Sequence, residues 1–407
     1  MPLLLQAHEL EVGMRLAKPV TSDRRVLLPA GRTLNSADID SLQRVYSRAT
    51  IYILDPVLDE VVAFQDVTRD QKVARTTQRK LLKAMSSVRE KFASRMSLHG
   101  ADLSGIHEAM ALVTQYLDEN PHAAAMIMRP GKEDSYLTEH PANVFYLSLV
   151  VGNAVRYFAR RSRSSRRISL NLAPLGLAAL FMDVALWPLE DVFDHPGPLS
   201  QEERQIVLQH PNVGADALPP TTPPLVPQLV RRHHENYDGT GYPEGLYGDE
   251  IPLFARILRV ADAFDAATSQ RAFSEAKSAP RTLWEMTMGP YAQLYDPIIL
   301  KVFGGVVQPY PIGAKLRLAC GRYAVVVRFG KTYSLLPEVI IAFDETNKRL
   351  LEHQLEGPFK LETRPEMQVV SYAGEDLSDV YGDGTWYTDI SIPHSADFET
   401  LFESAYP

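Results

Sequence analysis

The sequence predicts a mainly α-helical protein: a helical bundle, preceded by a small mixed α/β module and followed by a short β-rich extension. Three observations predict it. Between residues 68 and 303 apolar side chains recur at the three-and-four spacing of helices that face a core. From Pro311 the period shifts towards two, as in half-buried strands. The first 66 residues alternate short apolar runs with Gly and Asp-Pro turns. A chain of 407 residues has room for two or three domains, and 45% hydrophobic with 23% charged residues is a globular composition.

Residues 12–14, 20–28 and 49–54 read as short strands, and 36–45 as a helix capped by Asn35 or Ser36. Residues 1–66 hold no cluster of catalytic residue types and read as a regulatory or docking module. From Thr68, DQKVARTTQRKLLKAMSSVREKFASRM has neither Pro nor Gly, and Val73, Leu81, Leu82, Met85, Val88 and Phe92 repeat at helical spacing. Residues 103–120 and 122–128 continue the helical run, so 67–133 are connecting helices. Residues 134–305 follow as a helical domain. Within it 140–158 are a strongly apolar helix with His140 near its start, and 159–169 are a basic stretch with no interleaved aromatics, a solvated turn rather than a binding patch. Residues 174–189 read as one buried helix carrying a single acid, Asp183, which is costly there unless paired or bound to a metal. Residues 199–218 open with a Ser200/Glu203 capping box and carry His210, the Pro-rich 219–227 form a loop, and 280–303 are again helical. Residues 306–351 read as hairpin-like strands; 352–407, acidic and without Lys or Arg after Arg364, read as an irregular tail.

The net charge of -8 argues against a general nucleic-acid binder, which needs a basic surface, but leaves room for a small phosphorylated ligand. One cysteine, Cys320, allows neither an intrachain disulfide nor a Cys-based zinc site. The N-terminal apolar run is short and has no basic residues before it, unlike a secretory leader, and no apolar run is long enough for a membrane span; the cytoplasm is the expected location.

The chemistry concentrates in residues 231–265, RRHHENYDGTGYPEGLYGDEIPLFARILRVADAFD, with His233, His234 and Glu235 before a Gly-rich turn and Asp262 and Asp265 on the helix behind it. A surface loop with incidental histidines is the bland alternative, but a packed core has no use for two adjacent imidazoles. With His140, Asp183 and His210 these make a His/Asp set suited to Fe, Mn or Zn. Composition and periodicity go no further than a helical domain with a His/Asp metal site.

The order H…D…H…HHE-x-x-DGTGYP…VAD-x-x-D resembles the HD-GYP branch of the HD phosphohydrolase superfamily from about His140 to Phe303. The resemblance implies an all-helical domain that hydrolyses cyclic di-GMP to linear pGpG or GMP at a binuclear or trinuclear Fe or Mn centre. It implies His140, Asp183, His210, His233, His234 and Asp262 as metal ligands, with Asp183 bridging and Asp183 and Asp262 catalytic. Tyr242, Asp265 and Arg271 fall where the family meets its substrate. The departures are specific. Where the family reads HDIGK this chain has Met182-Asp183-Val184-Ala185-Leu186; Tyr136 stands where three-metal members have Glu, and Ser274 where the family has a basic residue after Arg271. The second-metal set (Asp183, His210, His233, His234) is complete, and the first-metal set is short of a ligand. One or two ions are implied, the second site being the better furnished. Loss of a ligand and a Lys costs several kcal/mol of transition-state stabilisation, on the order of a thousandfold in rate. Three readings stay open: a cyclic di-GMP phosphodiesterase of impaired activity; an inactive metal-containing sensor of cyclic di-GMP or a related cyclic dinucleotide, or an interaction module meeting a protein through the GYP face or the N-terminal module; and a metal-free scaffold.

Overall fold

The computed structural model describes residues 2–22, 25–45, 50–61, 65–95, 97–120, 125–126, 136–161, 171–190, 197, 199–271, 275–330 and 335–381. The chain divides into two compact units: Met1–Thr68, Arg129–Glu133 and Gln308–Asp389 in one, Arg69–Met128, Asp134–Val307 and Ile390–Pro407 in the other. As the sequence predicts, the core is mainly helical, with an N-terminal α/β module and a β-rich C-terminal sheet.

The first unit opens with β1 (Pro2–Gln6), β2 (Val20–Ser22), β3 (Arg25–Leu28), α1 (Ser36–Val45), β4 (Thr50–Leu54) and α2 (Pro56–Val61). β1 pairs antiparallel with β4, Leu4 opposite Tyr52. This strand escapes the sequence reading because Leu3, Leu4 and Leu5 are all buried, so it shows no alternation. Residues 12–14, expected as a strand, form a turn with Gly13 at φ 96°. α1 has the expected bounds, and the Asn35 side chain accepts from the Asp38 N–H at 2.9 Å.

The second unit takes in α3 (Gln65–Arg95), whose larger part lies there, α4 (Ser104–Glu119), β5 (Ala125–Met126), α5 (Tyr136–Arg161), α6 (Ala173–Phe181), α7 (Gln201–Asp216), α8 (Leu225–Arg232), α9 (Leu253–Thr268), α10 (Ala279–Thr287) and α11 (Pro297–Val306). Leu81, Met85, Val88 and Phe92 of α3 are buried, as their spacing predicts. α6 is buried from Leu175 to Phe181 and packs on α5; a Cβ on Gly176 would come within 3.0 Å of the Phe145 ring, so that approach needs glycine. Residues 125–126, expected in a helical run, are a strand; the rest of 122–128 except these two, most of the basic stretch at 162–170, and Ser274 lie outside the described residues.

Two differences in this unit shape the site. The expected single helix over 174–189 is broken: α6 ends at Phe181 and a 3-10 turn covers Val184–Leu189. Pro188 keeps the second stretch from being α-helical, since it lacks the N–H that an α-helix would give to the Val184 carbonyl. The expected loop over 219–227 gives way at Leu225 to α8, which buries Val226, Leu229 and Val230; its Pro227 sits in the first turn, where no helical N–H is needed.

After β6 (Val307–Gln308), the first unit resumes with β7 (Lys315–Leu318), β8 (Tyr323–Arg328), β9 (Glu338–Phe343), β10 (Glu356–Lys360), β11 (Val369–Tyr372), β12 (Glu375–Asp376) and α12 (Ser378–Tyr381). They form a six-stranded sheet in the order β10-β9-β8-β7-β11-β12. Residues 352–381 are thus ordered into the sheet and its turns, not an irregular tail. Strands at a sheet's flanks need few apolar side chains, and Leu361, Val369, Leu377 and Val380 supply them, all buried. Residues 382–407 of that tail lie outside the described residues. The N-terminal module and these strands belong to one unit: Leu4 N–H donates to the Gly313 carbonyl at 2.9 Å, and Arg349 pairs with Asp55 at 2.8 Å.

Candidate metal centre

The centre lies in the helical unit. His140 comes from the start of α5, Asp183 from the break after α6, His210 from α7, His233 and His234 from just past the end of α8, and Asp262 and Asp265 from α9. Each is buried except His234, whose side chain keeps 21% exposure.

Local sequence fixes how two of the imidazoles are presented. In an unbroken α-helix the Val207 carbonyl would accept from residue 211, but that residue is Pro211. The His210 Nδ1–H takes the orphaned carbonyl, leaving Nε2 to face Asp183 and His233. His233 follows the last turn of α8, where carbonyls lack helical partners. Its Nδ1 donates to the Val230 carbonyl at 2.6 Å, and again Nε2 is left as acceptor. His140 differs: its Nδ1–H goes to the Asp265 carboxylate at 2.7 Å, a partner distant in sequence. A second hydrogen bond of this kind sets the tautomer of a ligating histidine.

Asp183 lies between the groups. Its Oδ1 is 3.2 Å from His210 Nε2 and 3.8 Å from His233 Nε2, while Oδ2 is 3.5 Å from His140 Nε2. On the other side Asp262 Oδ1 is 3.0 Å from His140 Nε2 and its Oδ2 is 3.7 Å from His234 Nδ1. One donor atom from each of Asp183, His210, His233 and His234 lies within 4.8 Å of the others, a cluster consistent with a divalent-metal site.

The arrangement fits an ion for a specific reason. His210 Nε2 and His233 Nε2 face each other at 3.1 Å, although both Nδ1 atoms are committed to main-chain carbonyls. With both rings neutral, two lone pairs meet with no proton between them. A divalent cation in their midst would relieve that repulsion, and imidazole with carboxylate is a donor set for first-row ions.

Protonation follows the same division. Burial, aided by neighbouring His210, pushes His233 down to about 4. Burial and then the His233 ring push His234 down as well. For His140 burial acts downward too, but the Asp262 and Asp265 carboxylates outweigh it and raise it to about 10. Against the effect of burial, His210 holds Asp183, and His140 holds Asp262, below the ordinary carboxylate range. Burial, then Asp262, keeps the phenols of Tyr136 and Tyr242 neutral by raising both.

The turn after His234 is pinned by its own residues. The buried Glu235 carboxylate accepts from Glu244 N–H at 2.7 Å and Leu246 N–H at 3.0 Å. A Cβ on Gly241 would lie 2.2 Å from the Asn236 nitrogen, so only glycine fits. The turn thereby lays the Tyr242 ring on His234, centroids 4.9 Å apart and planes 25° from parallel.

Tyr136 stacks on His140 at 4.8 Å, with the Arg271 guanidinium 5.7 Å from its ring centroid. Met182 closes α6 and is fully buried; Leu186 is buried in the 3-10 turn, where it offers no charge. Asp265, expected at the substrate, is instead turned inward onto His140. The sequence reading passes over Arg259, whose Nη1 is 3.9 Å from Asp262 Oδ2, and over Asn236, which holds its Nε at 2.9 Å. The available signal is spacing: Arg259, Asp262 and Asp265 succeed one another by three along one face of α9.

Residues 122–299 match the family described as HD domain. Over 260 residues the chain is 30% identical to a protein of Pseudomonas aeruginosa named cyclic di-GMP phosphodiesterase, covering 63% of this chain and 58% of that one. It is 40% identical over 114 residues to the cyclic di-GMP phosphodiesterase response regulator RpfG of Xanthomonas campestris, covering 26% of this chain and 29% of that one. It is 35% identical over 108 residues to a Vibrio cholerae protein named 3'3'-cGAMP-specific phosphodiesterase 3, covering 26% and 24%. The chain therefore spans little more than half of the first of these relatives and under a third of the other two. Among the described residues no helix is long and apolar enough to cross a membrane.

Proposed function

We propose that the chain, whose residues 122–299 match the HD-domain family, is a metal-dependent phosphohydrolase of cyclic dinucleotides, cyclic di-GMP foremost, slowed by the residues at 182 and 186. The observation that carries the proposal is the shared carboxylate: Asp183 reaches His210 and His233 through one oxygen and His140 through the other. Asp183, His210, His233 and His234 would hold one ion, Fe or Mn, and His140, Asp183 and Asp262 a second; such ions supply Lewis acidity and a water ionised near neutral pH.

The chain's own groups divide the remaining work. Asp183 and Asp262 stay ionised, keeping two carboxylates available at the centre. Asp265 fixes the His140 ring so that Nε2 faces inward. Tyr242 and the partly exposed His234 form the solvent edge from which a diester arrives. Arg271, beside Tyr136, offers a guanidinium to a phosphate. Met182 and Leu186 supply neither a hard ligand nor a charge, which is the reason turnover is slowed rather than fast. The same two residues favour a second reading, a metal-containing sensor that binds the dinucleotide without cleaving it.

Anaerobic reconstitution with Fe(II) or Mn(II), followed by product analysis from cyclic di-GMP and from 3'3'-cGAMP, tests the proposal. Slow formation of a linear product is expected, rising about tenfold or more in the Met182→His, Leu186→Lys double variant. Binding without product in the wild type, with product from the double variant, selects the sensor. Neither binding nor product in the wild type overturns both.

A further inference from the structure

We propose that Arg259 binds the substrate's phosphate, as the fixed cation on the turn side of the centre; the proposal rests on the phosphohydrolase reading above. A cyclic dinucleotide presents two anionic diesters, and the centre itself is rich in carboxylates, so a cation must face the incoming phosphate. Leu186 is apolar and buried, and Arg271 stands on the other flank, beside Tyr136. Arg259 lies on the flank that carries His234: its Nη1 is 3.9 Å from the same Asp262 oxygen that lies 3.7 Å from His234 Nδ1, and its Nε is held by Asn236, two residues beyond His234.

Its geometry is that of a guanidinium held for a ligand. Nε donates to the Asn236 carbonyl oxygen at 2.9 Å, and the guanidinium lies 5.2 Å over the Tyr295 ring. Asn236 in turn donates through Nδ2 to Thr240 Oγ1 at 3.0 Å, which ties Arg259 to the turn that positions Tyr242. The side chain retains 17% exposure, so it borders solvent, as His234 does with 21%. A purely structural ion pair with Asp262 is the competing explanation. At 3.9 Å that contact is too long for a hydrogen bond, and Asp262 already has His140 at 3.0 Å. The guanidinium is drawn towards the centre and also hydrogen-bonds with the Tyr295 side chain, and a planar fork of five N–H donors suits phosphate oxygens as well.

The test uses the full chain with Mn(II) bound and measures three things: equilibrium binding of cyclic di-GMP, metal per chain, and KM against kcat. Arg259→Gln keeps a donor for Asn236 but removes the charge; Arg259→Lys keeps the charge; Asn236→Ala removes the brace. Arg259→Gln is expected to weaken binding about tenfold or more and raise KM in step, with metal content unchanged. Arg259→Lys should recover most of the loss, and Asn236→Ala should cost about threefold at most. Binding within about twofold of wild type in Arg259→Gln overturns the proposal, as does loss of metal in parallel with binding, which would place Arg259 behind Asp262 instead of at the substrate. If metal-bound wild type binds no cyclic dinucleotide, the functional reading beneath the proposal fails first, a result distinct from a silent Arg259 in a protein that does bind.

Discussion

The two sides of the centre are built from similar residue types by different means. On the imidazole side, His210 and His233 give their Nδ1 protons to carbonyls three residues earlier, so each ring is set by its own helix. On the carboxylate side, His140 is set by Asp262 and Asp265, side chains 122 and 125 residues away. Burial keeps the His233 imidazole neutral, whereas two carboxylates make His140 a cation. One cluster therefore holds neutral rings at one end and a buried ion pair at the other, with Asp183 common to both. Residue type alone does not decide what a histidine does; the partner on its second nitrogen does.

The most direct way to break this comparison is to remove what the sides share. Asp183→Asn should reduce bound metal at both sides and lower turnover by about a thousandfold or more, read by metal analysis and product formation; an active variant would refute the shared role.

A smaller effect should separate the sides. His233→Ala is expected to abolish the rise in melting temperature that Mn(II) gives the wild type, because a bound ion stabilises only the state that holds it. His140→Ala should leave part of that rise, since Asp183, His210, His233 and His234 remain together. Equal loss in both variants would mean that the sides do not fill separately.

Proton linkage sharpens the contrast in metal-free protein. His140, raised from 6.5 to about 10 in the folded state, contributes stability that is complete below 6.5 and is lost as the pH rises towards 10. His233, lowered from 6.5 to about 4, works in the opposite direction: the unfolded chain takes up its proton first, so stability falls as the pH drops from 6.5 towards 4. Urea midpoints across pH should thus peak near neutrality. His140→Gln should flatten the alkaline limb and His233→Gln the acid limb.

The smallest effect belongs to Tyr242→Phe. The ring stack on His234 survives, so metal content should stay at the wild-type level and dinucleotide binding should change by about threefold or less, one exposed-edge hydrogen bond at most being lost.

Much of this was legible in the chain. The spacing of Leu81, Met85, Val88 and Phe92 marks a buried helical face, and the Ser200/Glu203 box forms with Ser200 N–H to Glu203 at 2.7 Å. Such features depend on neighbours within one or two turns. Less legible were β1, whose three buried leucines carry no period, and residues 352–381, whose strands are completed by pairing with distant partners. At the centre, the string from His233 to Asp265 identified a donor set, but Arg259 is an ordinary surface-helix arginine until Asn236 and Tyr295 are placed around it.

By itself the sequence determined the helical class, the His and Asp inventory and, through Pro211, the free Val207 carbonyl that His210 Nδ1 takes, because these rest on contacts of short chain separation. Only the tertiary structure decided that Asp183 stands between His140 and His210, that Asp265 turns onto His140, and that Asn236 of the turn holds Arg259. These distances are fixed by how α5, α6, α7 and α9 pack, and no local pattern records that packing.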